Sequence, residues 1–395
     1  MAAFRVRLQE FDETLNAEVI DMKRFRKLCF NGCPYEQSYR STCWKLLLNY
    51  LPRERSTWKQ VEEKQRKTYA QFIDEMIIKP GAKASQDGVI CDVTFEDHPL
   101  NPNPDSKWAA YFRDNEMLVQ IDKDCRRLCP DLNFFQKATE FPSIDLVCGN
   151  NKVDTLRKRV EQCVLRSETV ATNRLGISNM RTSRLRSNSE GYATLAEGQE
   201  AHWEVCERIL FIYAKLNPGL GYVQGMNEIL GPLYYVFASD PSRELREHAE
   251  TDSFFCFTNL MSEIRDNFIK TLDDTQLGIG CLMNKMMNML EEKDATLCHK
   301  LLEQELKPQF FAFRWLTLLF SQEFPLPDVL RIWDSLFSDE QRFSFLICVA
   351  CAMLILLRDD LIQGDFPSNM KLVQNFPHSI IDVQTVIKKA VELAR

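Results

Sequence analysis

The stretch Trp108–Arg127 has the sequence WAAYFRDNEMLVQIDKDCRR, in which apolar residues recur three and four positions apart. This spacing places the apolar side chains on one face of an α-helix, and it predicts a helix that ends at Cys129-Pro130-Asp131. Similar spacing occurs along most of the chain, and no convincing alternation of a half-buried β-strand is found. The sequence therefore predicts an all-α, multi-helix fold without a significant sheet, built by helix packing.

The same spacing predicts helices at Val19–Phe30, Ser38–Leu51, Thr57–Ile78, Leu195–Leu216, Gln224–Phe237, Ser253–Ile269, Cys281–Leu306, Gln309–Phe320, Asp328–Phe337, Arg342–Ile362 and Val383–Ala394. No internal repeat of the length used by helical solenoids is present, which disfavours that architecture. Clusters of proline, glycine, asparagine and aspartate at 80–106 predict a long loop.

A basic, serine-rich insertion at about 150–195 differs in composition from the rest of the chain. Its most polar part, Arg181–Gly191, is almost devoid of apolar residues and predicts a disordered surface segment. Within it, arginines precede Ser187 and Ser189 in a pattern that basic-directed kinases favour, so both serines are candidate phosphosites. The alternative is an unmodified flexible loop.

The amino-acid composition limits the classes of function that this chain can have. Apolar residues make up 45 % of the 395 residues, enough for a large core, and the net charge of −7 argues against a generic nucleic-acid binder. The N-terminus carries no signal peptide, and the fourteen cysteines are scattered, so we expect a reduced, cytoplasmic protein. The longest apolar run, Phe343–Leu357, is shorter than the roughly 20 residues of a membrane span and predicts a buried core helix.

The sequence predicts no metal or cofactor site. Cys348 and Cys351 form a C-x-x-C pair, but they lie in the most apolar helix without a partner pair, which indicates core packing. Cys125 and Cys129 are also interpreted as packing residues, with an oxidation-sensitive role as the minority alternative. The five histidines show no ligand spacing.

Two short segments carry the candidate chemistry. Arg127 follows Asp124 by three residues, an ordinary ion-pair spacing on a helix, and lies near the predicted helix end, where its guanidinium can project. Gln224 lies in a glycine-containing turn before Gly225. Taken alone, Arg127 is better explained as an arginine that interacts with the dipole at a helix C-terminus, and Gln224 as a capping glutamine at a helix N-terminus.

Together these segments resemble a known family. Ile121-x-x-Asp124-x-x-Arg127 and Tyr222-x-Gln224-Gly225-Met226-Asn227, in this order, resemble the two fingerprint motifs of the TBC domain. Gly32-Cys33-Pro34 with Arg40 and Trp44 resembles the opening motif of that family. Three stretches of this chain resemble the third motif of the family: Phe313-Arg314-Trp315, Phe320 with Glu323-Phe324, and Ile332–Phe337. The resemblance covers about 27–395, with residues 1–26 as an N-terminal extension.

The resemblance implies an all-helical GTPase-activating protein for Rab-type small GTPases that acts in vesicle trafficking. Such a protein has no independent reaction; it inserts an arginine finger, here Arg127, and a glutamine finger, here Gln224, into the GTPase site. GTP and Mg²⁺ would arrive on the Rab, which is also the expected route to membranes. By the same resemblance, supporting roles fall to Asp124, which positions Arg127, to Tyr222, Gly225, Met226 and Asn227, which form the turn, and to Arg314, Trp333 and Asp334, which are mainly structural.

Two departures from the family pattern are expected to matter. Leu128 follows the arginine where the family often has threonine, and the interval between the two motifs is lengthened by the basic insertion. The alternative function is a non-catalytic scaffold of TBC fold that holds a Rab without accelerating hydrolysis. A scaffold does not need either finger residue, so the presence of both favours the activator.

Overall fold

The computed structural model describes residues 2–77, 107–143, 195–196, 198–269 and 278–395, together with 146, 156–157 and 159–160. The predicted loop at 80–106 lies outside the described residues, as do Ser187, Ser189 and almost all of the basic insertion. The chain divides into two compact units. The first unit comprises Met1–Gln65 and Glu228–Arg395, and the second unit comprises Arg66–Asn227.

The described residues form helices joined by short turns, which confirms the predicted all-α fold. The helices are α1 (Ala2–Leu15), α2 (Met22–Phe30), α3 (Tyr39–Leu47), α4 (Trp58–Met76), α5 (Lys107–Cys125), α6 (His202–Leu216), α7 (Met226–Ala238), α8 (Arg243–Glu247), α9 (Ala249–Ile264), α10 (Ile279–Lys293), α11 (Ala295–Glu303), α12 (Ala312–Thr317), α13 (Leu326–Ser338), α14 (Ser344–Leu356), α15 (Arg358–Gln363), α16 (Phe366–Gln374) and α17 (Val383–Leu393). Extended pairing in the same residues is limited to two isolated bridges, Val19 with Glu54 and Ala138 with Ala201.

The second unit is built on the packing of α5 against α6. In the first half of α5, Asp114 pairs with Lys215 near the end of α6, with 2.7 Å between Oδ2 and Nζ. At the opposite end, the guanidinium carbon of Arg126 lies 4.3 Å from the ring centroid of Trp203. The two helices are therefore antiparallel, and the C-terminal end of α5 lies beside the first turn of α6.

The core of the first unit surrounds α14, whose side chains from Phe345 to Leu354 are all buried. A helix that is apolar on every side must be enclosed by other elements, and α10 and α17 pack against it. This confirms that the run Phe343–Leu357 is a core helix. None of the helices in the described ranges combines the length and hydropathy of a membrane span.

The structure divides two predicted helices and adds others. The single helix predicted over Arg342–Ile362 is wrong, because α14 ends at Leu356 and α15 begins at Arg358. The single helix predicted over Cys281–Leu306 is also wrong, because α10 and α11 separate at Asp294. The Asp294 carboxylate accepts a hydrogen bond from the Leu297 N–H (3.0 Å), so it caps a new helix. The N-terminal residues contain α1, which buries Phe11 against Tyr39 at a centroid distance of 5.7 Å.

Candidate functional site

Arg127 lies just beyond the C-terminal end of α5 and projects into solvent. Its side chain is 63 % exposed. Two nitrogens of the Arg127 side chain contact the last turn of α5. Nη2 lies 3.1 Å from Asp124 Oδ1, and Nε donates to the Lys123 carbonyl oxygen at 3.0 Å. The Nη1 group donates to no described residue, so part of the guanidinium fork is available to an external acceptor.

Asp124 links the two predicted motifs. Its carboxylate is 8 % exposed; one oxygen faces Arg127, and the other accepts a hydrogen bond of 2.8 Å from the Tyr222 hydroxyl. The Asp124 backbone carbonyl also accepts from the Asn227 side-chain amide at 3.3 Å. The structure therefore brings together the residues that the sequence places a hundred positions apart, and one buried acid orients both segments.

The turn that carries Gln224 is fixed by its neighbours. Gly225 has φ +102°, a backbone conformation that residues with a Cβ rarely adopt. Met226 is fully buried, and its N–H donates to the Val223 carbonyl at 3.1 Å, which closes the turn immediately before α7. The Gln224 side chain itself is exposed and takes part in no hydrogen bond with a described residue. A rigid backbone thus presents a free amide, the arrangement that orienting a single water requires.

The structure separates Arg126 from Arg127, which adjoin in sequence. Both Asp122 oxygens accept from Arg126 Nε at 2.9 Å, and the guanidinium stacks on Trp203. Burial works against the Arg126 charge, but the hydrogen bonds and the charge of Asp122 outweigh it and raise the pKa of Arg126. Arg126 therefore locks the end of α5 onto α6, and Arg127 alone is left for an outside partner. The sequence gives no signal for Trp203 in this role.

The residues after Arg127 are packed or strained. Leu128, which departs from the family pattern, is fully buried, and Cys129 adopts φ +43°. Cys125 is fully buried as well, and burial raises the pKa of its thiol well above the usual value. Leu128 thus anchors the chain as it leaves α5, and Cys125 packs in the core.

The remaining predicted support residues lie in the first unit. Arg314 donates to both Glu323 oxygens, at 2.6 and 2.9 Å, and to the Gln374 carbonyl at 2.8 Å. Trp333 is fully buried, and its indole N–H donates to the Leu319 carbonyl at 2.8 Å. These contacts connect α12 to the last residue of α16, and they connect both α12 and α13 to the loop that follows α12.

Asp334 connects the opening and third motifs. It is fully buried and accepts from the Cys33 N–H and the Trp44 indole N–H, each at 2.8 Å. The Arg40 guanidinium lies 3.1 Å from the same carboxylate. A buried carboxylate with this many donors is a structural centre, and here it joins the α2–α3 connection to α13.

Comparisons with known proteins show which family the chain belongs to. A family model described as the Rab-GTPase-TBC domain matches residues 191–362. Human TBC1 domain family member 13 is 59 % identical over 391 residues, and the alignment covers 98 % of this chain and 97 % of that protein. The chain belongs to the TBC domain family. The identity extends over nearly the whole of both chains, so the similarity to this member of the TBC family is not confined to the motifs.

More distant members of the TBC family show how far the similarity extends. A TBC domain-containing protein of Schizosaccharomyces pombe is 37 % identical, over 99 % of this chain and 73 % of that protein. The crystal structure of the Ypt/Rab-GAP domain of Gyp1p matches with a TM-score of 0.66 at 21 % identity, and the match covers 98 % of this chain and 96 % of that domain. The latter similarity shows that the fold is that of a TBC domain.

Proposed function

We propose that this chain activates GTP hydrolysis by a Rab-family small GTPase and thereby regulates vesicle trafficking. Membership of the TBC family supports the choice of partner. The single observation that carries the mechanism is the shared carboxylate: Asp124 contacts both Arg127 and Tyr222. The two candidate fingers are therefore presented by one preorganised cluster.

The exposed arginine and glutamine have complementary roles in this mechanism. Arg127 would neutralise the charge that develops between the β- and γ-phosphates, and its planar fork suits phosphate oxygens. Gln224 would orient the attacking water. GTP and Mg²⁺ belong to the Rab, and this chain contributes positioning and charge stabilisation without a covalent step.

The runner-up function is a scaffold of TBC fold that binds a Rab without accelerating hydrolysis. Exposure of both fingers favours the activator, because a scaffold has no need to hold an arginine and a glutamine ready on a fixed framework. The scaffold predicts Rab binding that leaves the rate of phosphate release unchanged, so binding and hydrolysis must be measured separately.

The test is phosphate release from a panel of GTP-loaded Rabs with the wild-type chain and four variants. Arg127→Ala and Gln224→Ala remove the fingers. Lys123→Ala and Gln120→Ala are matched controls, since both residues are exposed and lie in the last turns of α5, immediately before Arg127. We expect acceleration of one or a few Rabs, a loss of about 10³-fold or more in Arg127→Ala, and unchanged activity in the controls.

Arg127→Lys sharpens the test, because lysine keeps the charge but loses the bidentate fork, and we expect it to remain inactive. Binding of each variant to the Rab loaded with a non-hydrolysable GTP analogue gives the second measurement. Undiminished activation by Arg127→Ala would refute the mechanism. Binding without acceleration of any Rab would favour the scaffold.

A further inference from the structure

Three cysteine thiols meet in the first unit where α2 ends and α3 begins. Cys29 lies in the last turn of α2, Cys33 in the connection, and Cys43 on α3. Their Sγ atoms all lie within 4.8 Å of one another, and none of the three residues is more than 4 % exposed. We call this group the cysteine trio. Its members are spaced C-x₃-C-x₉-C, so the trio forms from one short stretch of chain.

The surroundings of the trio are positively charged. Arg7 donates to the Gly32 carbonyl, next to Cys33, and the Arg331 side chain packs against Gly32. Arg40 is the third cation, and it pairs with Asp334 at 3.1 Å. Neither Arg7 nor Arg331 forms an ion pair with a described residue, so the cations here outnumber the carboxylates. Partly buried cations favour a compensating anion nearby.

The trio can supply that negative charge, because thiols lose their protons when they bind a metal. Cys29, Cys33 and Cys43 bring three sulfur atoms together in a buried site. The thiolate is the form that binds metals, and neighbouring arginines favour it.

We propose that Cys29, Cys33 and Cys43 bind a thiophilic d¹⁰ cation, Zn²⁺ or Cu⁺, through their three sulfur atoms. Soft thiolate ligands select these ions over hard cations. An ion with metal–sulfur bonds of ~2.3 Å in a trigonal arrangement places the sulfurs ~4.0 Å apart, so the trio needs to contract by less than ~1 Å. The sequence predicts no metal site, because the spacing matches no common pattern.

The charges balance without a further ligand from the protein. Binding of Zn²⁺ to three thiols releases three protons to solvent and leaves a complex with one negative charge; Cu⁺ leaves two. Arg7 and Arg331 offset these charges in either case. The bound ion would connect the end of α2 to α3. It would therefore stabilise the α2–α3 connection, which Asp334 also contacts through Cys33 and Trp44.

The full chain is purified in a metal-free buffer that contains a reductant, and it is then loaded with Zn²⁺ or Cu⁺. After excess ion is removed, the amount of metal bound per chain is measured by mass spectrometry. Cys43→Ser removes one ligand, and Cys281→Ser is the control because Cys281 is partly exposed and outside the trio. We expect about one ion per chain in the wild type and the control, and affinity at least ~10-fold weaker in Cys43→Ser. Competition between the two ions identifies the preferred cation.

A second measurement on the wild type does not depend on how the variant folds. Co²⁺ bound by thiolates gives a sulfur-to-cobalt charge-transfer band in the near ultraviolet, and we expect this band to saturate at one equivalent. Addition of Zn²⁺ or Cu⁺ should abolish it and raise the unfolding temperature. The absence of the band, metal well below one equivalent, or equal affinity in a folded Cys43→Ser variant would overturn the proposal.

Discussion

The Tyr222 hydroxyl donates a hydrogen bond of 2.8 Å to Asp124, the same buried carboxylate whose second oxygen faces Arg127. The hydroxyl also lies 3.4 Å from Asn227 Oδ1, but its one proton serves the shorter contact. In the proposed mechanism, Tyr222 is therefore a positioning residue. It holds Asp124, which in turn holds Arg127, and its backbone leads into the turn that presents Gln224.

Tyr222→Phe tests this relationship, because it removes the hydroxyl and keeps the ring. Asp124 loses the only side-chain donor that the described residues offer to its second oxygen, and hydrogen bonds to charged groups are worth about 1.5–3 kcal/mol. We expect activation of the Rab, measured as kcat/KM for phosphate release, to fall about tenfold or more. Stability measured by urea unfolding should change much less than activity.

The control is a double-mutant cycle with Asp124→Asn. If Tyr222 acts through Asp124, the loss in the double variant is smaller than the sum of the two single losses. Additive losses would mean that Tyr222 contributes by a separate route, and the shared-carboxylate mechanism would be wrong.

Gly225→Ala tests the rigidity of the glutamine turn. At φ +102° a Cβ is strained, and such strain costs about 1–3 kcal/mol, so we expect the turn to shift and Gln224 to lose its position. Activation of the Rab should fall at least about tenfold, read as kcat from phosphate release. Gly219→Ala is the matched control: Gly219 is exposed and a Cβ there meets nothing within 4 Å. Equal activity in the two variants would contradict the prediction.

Much of this could be predicted from the sequence, for physical reasons that particular residues illustrate. Apolar spacing is set by burial on one helix face, so the existence of α5, α6 and α14 follows from it. Helix ends depend on single capping residues, and the break at Asp294 was missed because the apolar pattern continues through it. The pairing of Asp124 with Arg127 follows from helix geometry alone.

The rest depends on contacts between distant segments, which a single sequence does not specify. Spacing alone does not distinguish Arg126 from Arg127; the difference arises because Trp203, on another helix, covers one of them. Likewise, Cys29 and Cys33 are only four residues apart in the sequence, but the approach of Cys43 depends on how α2 and α3 pack.

His202 gives a prediction for the pH dependence of stability. It stacks on Phe134 at a centroid distance of 4.1 Å, and burial lowers its pKa from 6.5 to about 4, although the charge of Glu140 acts in the opposite direction. As the pH falls, His202 is therefore protonated at a higher pH in the unfolded state than in the folded state. The contribution of neutral His202 to the free energy of unfolding is fully present above pH ~6.5 and is lost progressively down to pH ~4.

We expect the wild type to lose about 2 kcal/mol between pH 7 and pH 5 through this group. Because carboxylates titrate in the same range, the comparison is with His202→Phe, which keeps an aromatic ring beside Phe134 and removes the titration. Urea unfolding at both pH values gives the difference in the free energy of unfolding. The same pH dependence in the two proteins would show that His202 is not the group responsible.

Substitution of Arg126 should reduce mainly the stability of the protein, and substitution of Arg127 should reduce mainly its activity. Arg126→Ala leaves the Asp122 side chain, only 9 % exposed, without its ion-pair partner and uncovers Trp203. Loss of one partner of a buried pair costs about 3 kcal/mol or more. Arg127→Ala removes an exposed side chain, and the cost should stay below about 1 kcal/mol. Urea midpoints followed by circular dichroism should therefore fall for Arg126→Ala and hardly change for Arg127→Ala or for the control Lys123→Ala.

Activity should follow a different order from stability. At a temperature where all variants are folded, Arg127→Ala should have lost nearly all activation, because the group that faces the phosphates is missing. Arg126→Ala should keep part of it, since Arg127 is present but less firmly held at the end of α5. If Arg126→Ala were as stable as the wild type and fully inactive, the assignment of the two arginines would have to be exchanged. The finger would then be the residue that this structure stacks on Trp203, and it would have to leave Asp122 in order to act.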